Sequence, residues 1–149
     1  MGPCTSRAPT TPQEITTDMT LPSEISFLET AGRLLLVIFF IVAGLSNMTP
    51  ARIRDHIERM AAGGVPAATP VFWLGIALQF TGCALLLTGW HANIGALCLI
   101  IFTVTATAIF HRFWLLDDPI KRNLGRLFFL NNTAITGGLL LLLANMQMA

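Results

Sequence analysis

MAAGGVPAATPVFWLGIALQFTGCALLLTGWHANIGALCLIIFTVTATAIFH, residues 60–111, runs for 52 residues without an Asp, Glu, Lys or Arg. A helix of roughly 20 apolar residues covers the ~30 Å hydrocarbon core of a bilayer. The run is too long for one crossing, and GWHANIG at 89–95 divides it with turn residues. It therefore reads as two membrane helices, at about 71–89 and 94–111. No water reaches their backbones, so each crossing must satisfy its own N–H and C=O groups as a helix.

Two further stretches lack charge, 34–51 and 127–149, and place crossings at about 31–48 and 127–144. The whole chain has 149 residues, 54% of them apolar and 11% charged. A soluble domain carries about 25% charged residues. A soluble four-helix bundle would also show polar outer faces at the 3.6-residue period. LLLVIFFIVAGL (34–45) and GGLLLLLA (137–144) show none. The fold class is thus all-α, an integral membrane four-helix bundle over about 31–145, preceded by a Thr- and Pro-rich flexible tail at 1–30. The tail is not a signal peptide, because it lacks a basic start and acids precede the apolar stretch. Ser23 is placed to cap a helix that starts before the bilayer, and Glu29 and Arg33 are spaced as an interfacial pair. The net charge of +1 gives no reason to expect nucleic acid. The lipid bilayer is the expected partner.

The basic residues orient the bundle. Arg52, Arg54, Arg59, Arg112, Lys121, Arg122 and Arg126 fall in the two loops on one side, and Arg7 and Arg33 on the other. Positive loops stay in the cytoplasm, so both termini should face outward. The first cytoplasmic loop holds a short amphipathic helix of its own. Thr49 and Pro50 start it, and Ile53, Ile57 and Met60 share one face. GGVP at 63–66 ends it. It reads as a membrane-surface connector or, alternatively, as a docking face for a soluble partner.

Candidate chemistry is sparse. Cys83 and Cys98 fall at similar depth on neighbouring helices and form a candidate redox pair, with two small core residues as the alternative. His56, His91 and His111 lack the spacing of a metal motif, so no metal site is expected. Asn47, Gln79, His111, Asn131 and Asn132 all belong to the cytoplasmic half of the bundle. Polar groups at that depth are costly and turn inward. They either bond helix to helix or line a pocket for a polar head group such as a quinone. Thr103, Thr105 and Thr107 are expected to bond back to their own helix. In IFHRFWLLDDPIKR (109–122), Trp114 and Phe113 suit the interfacial aromatic belt, and Arg112 is an anchor. Asp117 and Asp118, before Pro119, read as a turn.

GRLLLVIFFIVAGL (32–45), GGVPAATPVFWLGIALQFTGCALLLTG (63–89), FHRFW (110–114) and NNTAITGGLLLL (131–142), in that order, resemble the DoxX family of four-helix membrane proteins. The resemblance implies a bacterial inner-membrane protein tied to membrane redox systems. One branch, the DoxD-like proteins, belongs to a thiosulfate:quinone oxidoreductase. Three positions depart from the family pattern: Gln79 stands where an acid is usual, and Asn47 and Asn131 where lysine is. An amide cannot exchange protons near neutral pH, so a titrating group at Gln79 is lost. The expectations are accordingly an accessory subunit of a quinone-linked redox complex, a scaffold that recruits a partner, or a carrier of a small molecule.

Overall fold

The computed structural model describes Gly2 and residues 21–148; the readings of Arg7 and of the tail at 3–20 lie outside them, while 21–30, expected as part of the tail, are helical. Five helices follow in order: α1 (Leu21–Asn47), α2 (Pro50–Ala62), α3 (Ala68–Thr88), α4 (Ala92–Phe110) and α5 (Pro119–Met148), with a 3-10 turn at Phe113–Leu115 between α4 and α5. No strand occurs among the described residues. Among those residues four helices, all but α2, are long and apolar enough to cross a membrane. The fold is therefore the all-α bundle expected from the charge-free stretches.

The connections carry the turn chemistry. Between α3 and α4, Gly89 and His91 adopt left-handed backbone, φ 73° and 47°, which reverses the chain in three residues. Gly63 and Gly64 close α2, with Gly64 at φ 79°. Asp118 caps α5: its Oδ1 accepts from the N–H of Ile120 at 2.8 Å and of Lys121 at 3.4 Å. Pro119 follows at the first helical position, so α5 starts eight residues before the expected crossing at 127. Asp117–Pro119 is thus a helix start as much as a turn. At α1, the helix begins before Ser23, and no ion pair joins Glu29 to Arg33 among the described residues.

Within lipid, packing and close approach hold helices together, since leaving the acyl chains brings no hydrophobic gain. α3 and α4 make the tightest contact. A Cβ on Gly95 would lie 2.9 Å from the Gly82 carbonyl and 3.0 Å from the Leu86 nitrogen, so the two backbones touch there. A Cβ on Gly82 would lie 2.8 Å from the Leu99 side chain. Around this crossing Val37 and Phe40 of α1, Cys83 and Leu86 of α3, Ala96 and Leu99 of α4 and Leu139 and Leu142 of α5 form the main core. The order around the bundle is α1, α3, α4, α5.

A second, smaller core sits at one end. Met60 of α2, 2% exposed, packs with Phe72 and Ile76 of α3, and Ile53, Ile57, Ile109 and Phe110 surround it. The amphipathic face of α2 therefore lies against the ends of α3 and α4. Met60 is buried there while Ile53 and Ile57 stay half-buried, so this face turns largely toward the bundle.

Candidate functional site

The five polar positions expected to share a pocket separate into distinct places. Gln79 is 1% exposed at mid-helix in α3. Its Nε2 donates 2.7 Å to the Phe40 carbonyl of α1, and its Oε1 is buried without a partner. The approach depends on Gly44, one turn beyond Phe40, where a Cβ would lie 3.1 Å from Gln79 Nε2 and 2.9 Å from the Phe80 ring. Asn132 of α5 donates 2.9 Å to Thr107 Oγ1 of α4, whose hydroxyl in turn donates 2.6 Å to the Thr103 carbonyl. Thr103 donates 2.7 Å to Leu99 O, so the back-bonding expected of these threonines holds at 103 and 107. Thr105 lies instead on the exposed face. Asn47 ends α1 half-buried. Asn131 is exposed and lines an open groove of about 490 Å³ on the outside of α5 with Leu124, Leu127, Phe128, Leu130 and Ala134. One residue advances a helix by about 100°, so neighbouring amides point to different faces.

The cysteines do not pair. Cys83 is enclosed in the main core while Cys98 is half-exposed, and both are free thiols. The contact between α3 and α4 is centred on Gly82 and Gly95, and it fills the space between the helices with backbone and Leu99. Arg112 folds back and its Nε donates 2.7 Å to the Ala108 carbonyl, satisfying one of the open acceptors at the end of α4. Trp114 is 57% exposed, with its ring edge-on to Phe113 and Phe129. Arg33 is half-buried on α1.

A different group converges where α2 covers the ends of α3 and α4. The His111 ring stacks on Phe128 of α5 at 5.4 Å and 26°. The His56 ring lies 5.1 Å from that of Phe110 and 6.0 Å from that of Phe72. The Arg59 guanidinium stands 5.7 Å over the Phe110 ring. Its Nη2 donates 2.6 Å to Asp55 and lies 3.2 Å from His56 Nδ1. A guanidinium can only donate, so Nδ1 accepts and the neutral imidazole carries its proton on Nε2. Burial holds the His56 pKa below its ordinary 6.5, and the charge of Arg59 adds to this against the opposing pull of Asp55. The group around His56 thus offers one imidazole, one cation and two phenyl faces in mutual contact, and His111, next along the chain from Phe110, carries a second imidazole stacked on Phe128. Among the described residues no three His, Cys, Asp or Glu side chains gather as a set of metal donors.

His56 is the member that the sequence reading passed over. Its signal was present: Ile53, His56, Ile57 and Met60 are spaced i, i+3, i+4, i+7, which puts the histidine on the apolar face. Phe72 and Phe110 carried no comparable sign, being two of ten phenylalanines in an apolar chain.

Four apolar helices joined by short turns, with a small amphipathic helix across one end, define a multi-pass α-helical membrane protein. A family model described as DoxX matches residues 28–112, more than half of the chain, and the chain belongs to the DoxX family. The match takes in most of α1 and all of α2, α3 and α4, and it stops short of α5. No curated protein and no solved structure matches the chain.

Proposed function

We propose that this chain is an integral accessory subunit of a quinone-linked redox system in a bacterial inner membrane, with both termini outside the cytoplasm. The observation that carries the proposal is the packing of His56 against Phe72 and Phe110 beside Arg59, with His111 stacked on Phe128 at the adjoining end of α4. A quinone head group is a flat ring with a hydrogen-bond acceptor at each end. Phenyl faces suit its plane, and an Nε2–H on His56 suits a carbonyl oxygen. The cluster lies at the end of the bundle bearing Arg52, Arg54, Arg59 and Arg112, the cytoplasmic end by the positive-inside rule. The role is binding and positioning. No covalent or electron-transfer step is assigned to this chain, because Gln79 brings an amide where a proton-exchanging carboxylate would stand.

For the scaffold alternative, the face formed by Ile53, Ile57 and Met60 offers less free surface, since Met60 is buried and Ile57 half-buried against the bundle. The test uses the host membrane. His111→Ala, expressed at wild-type level, is expected to lower the quinone retained by the gently extracted protein and the quinone-linked turnover of the membrane, each by roughly tenfold or about 1.4 kcal/mol. Unchanged quinone content together with unchanged turnover rejects the reading.

A further inference from the structure

The face of α5 turned away from the bundle is not uniformly greasy. Of the four apolar helices α5 is the least covered, with 11% of its most apolar window buried. Leu124, Leu127, Asn131, Ala134, Gly138 and Leu141 follow a spacing of three and four residues, so they form one stripe along the helix. Leu124, Leu127 and Leu141 are 51%, 56% and 72% exposed, and Asn131 and Ala134 are exposed as well. At Gly138 an added Cβ would meet nothing within 4 Å, so the glycine makes no close contact inside this chain. Asn145 continues the stripe, seven residues beyond Gly138.

Asn131 is the anomaly. It lies five residues past Arg126, about 7.5 Å deeper at 1.5 Å per residue, on the outside of an apolar helix. The bond to the bundle is made by its neighbour Asn132. An amide facing acyl chains is costly, and such groups find a polar partner. Small residues one turn further on, Ala134 and Gly138, are the kind that let a second helix come close.

We infer that this face is the interface of a symmetric dimer, with the α5 helix of a second copy of the chain lying along the stripe. The occupant follows from geometry. Two copies inserted in one membrane have their α5 helices pointing the same way. A two-fold axis along the membrane normal then sets each stripe position against its own mate. Asn131 therefore meets Asn131, and a carboxamide, holding both a donor and an acceptor, is complementary to itself. The open groove beside Asn131, bordered by Leu127 and Leu130, receives the same leucines from the mate. Lys121, Arg122 and Arg126 fall outside the stripe positions, so charge repulsion is not brought to the centre of the contact.

The test is energy transfer between full-length chains labelled at the N-terminus with donor or acceptor, in phosphatidylcholine vesicles over a range of protein-to-lipid ratios. The wild type is expected to saturate as a dimer. Asn131→Leu is expected to weaken association roughly tenfold, from the loss of a hydrogen bond worth about 1–2 kcal/mol. Gly138→Leu should weaken it at least as much, while Asn131→Gln, which keeps the amide, should restore most of it. Circular dichroism of each variant confirms that the helices are intact. The proposal is overturned if the wild type stays monomeric at every density, as it would if a different protein covered this face. It is equally overturned if a wild-type dimer is indifferent to both Asn131→Leu and Gly138→Leu.

Discussion

Gln79 shows how a single side chain can look functional and act as structure. Its Nε2 reaches a backbone carbonyl of α1, while its Oε1 is buried without a partner. An unsatisfied buried acceptor costs about 1–3 kcal/mol, which largely cancels a net gain of about 1 kcal/mol from the bond that is made. Gln79→Leu removes both together. It is expected to leave thermal stability in detergent within about 1 kcal/mol of wild type, and a loss above 3 kcal/mol would show that Oε1 has a partner in the working protein. Gly95 is the opposite case, an unremarkable letter whose space is filled by backbone. Gly95→Ala presses a methyl group against the Gly82 carbonyl and the Leu86 nitrogen. Neither atom can turn aside, so α3 and α4 must part. A loss of about 1–3 kcal/mol is expected, read as a lower melting temperature.

At the scale of the element, α2 is the part whose placement decides the candidate site. Its sequence dictates an amphipathic helix, because Ile53, Ile57 and Met60 recur at helical spacing. What those residues face is settled by Phe72, Ile76 and Phe110 on other helices. Met60→Ala would empty a site that is 2% exposed and should cost about 2–5 kcal/mol of α2 docking, seen as faster hydrogen exchange across Pro50–Ala62. Docking should also depend on pH through His56, which faces Asp55 and Arg59 on its own helix, Phe72 on α3 and Phe110 on α4. Its pKa lies below 6.5 when α2 is docked, so the undocked helix binds more protons. Docking is therefore complete above about pH 6.5 and weakens as the pH falls below it. Exchange in α2, corrected for its intrinsic pH dependence, should rise between pH 7.5 and 5.5 in the wild type. His56→Phe should abolish that rise.

For the whole molecule, seven basic residues on one side against two on the other set the expected orientation. Cysteine-free variants carrying one new thiol at Lys121 or near the C-terminus would test it with an impermeant maleimide on intact cells. The C-terminal thiol is expected to react and the Lys121 thiol to be protected, and the reverse pattern rejects the orientation. The dimer inferred through α5 accords with it, because both copies then carry their cationic ends on one side.

The number of crossings, their helical nature and the limits of α3 and α4 within a few residues were legible in the sequence. Hydrocarbon of fixed thickness selects for uninterrupted apolar length, and length is a local property. The start of α5 was legible too, in Asp118-Pro119, though the weight given to the charge-free stretch at 127 hid it. Rotation about each helix axis was not legible. α3 and α4 are apolar on every side, so no periodic face tells which residues look inward. That is why Cys83 and Cys98 could be paired on depth alone. On α5, Asn131 and Asn132 share a depth but not a face: Asn132 bonds to Thr107 and Asn131 faces out. The tertiary structure decided these matters through the contact at Gly82 and Gly95, which sets how α3 and α4 are turned, and through α2, which brings His56 and Arg59 to the end of the bundle beside Phe110.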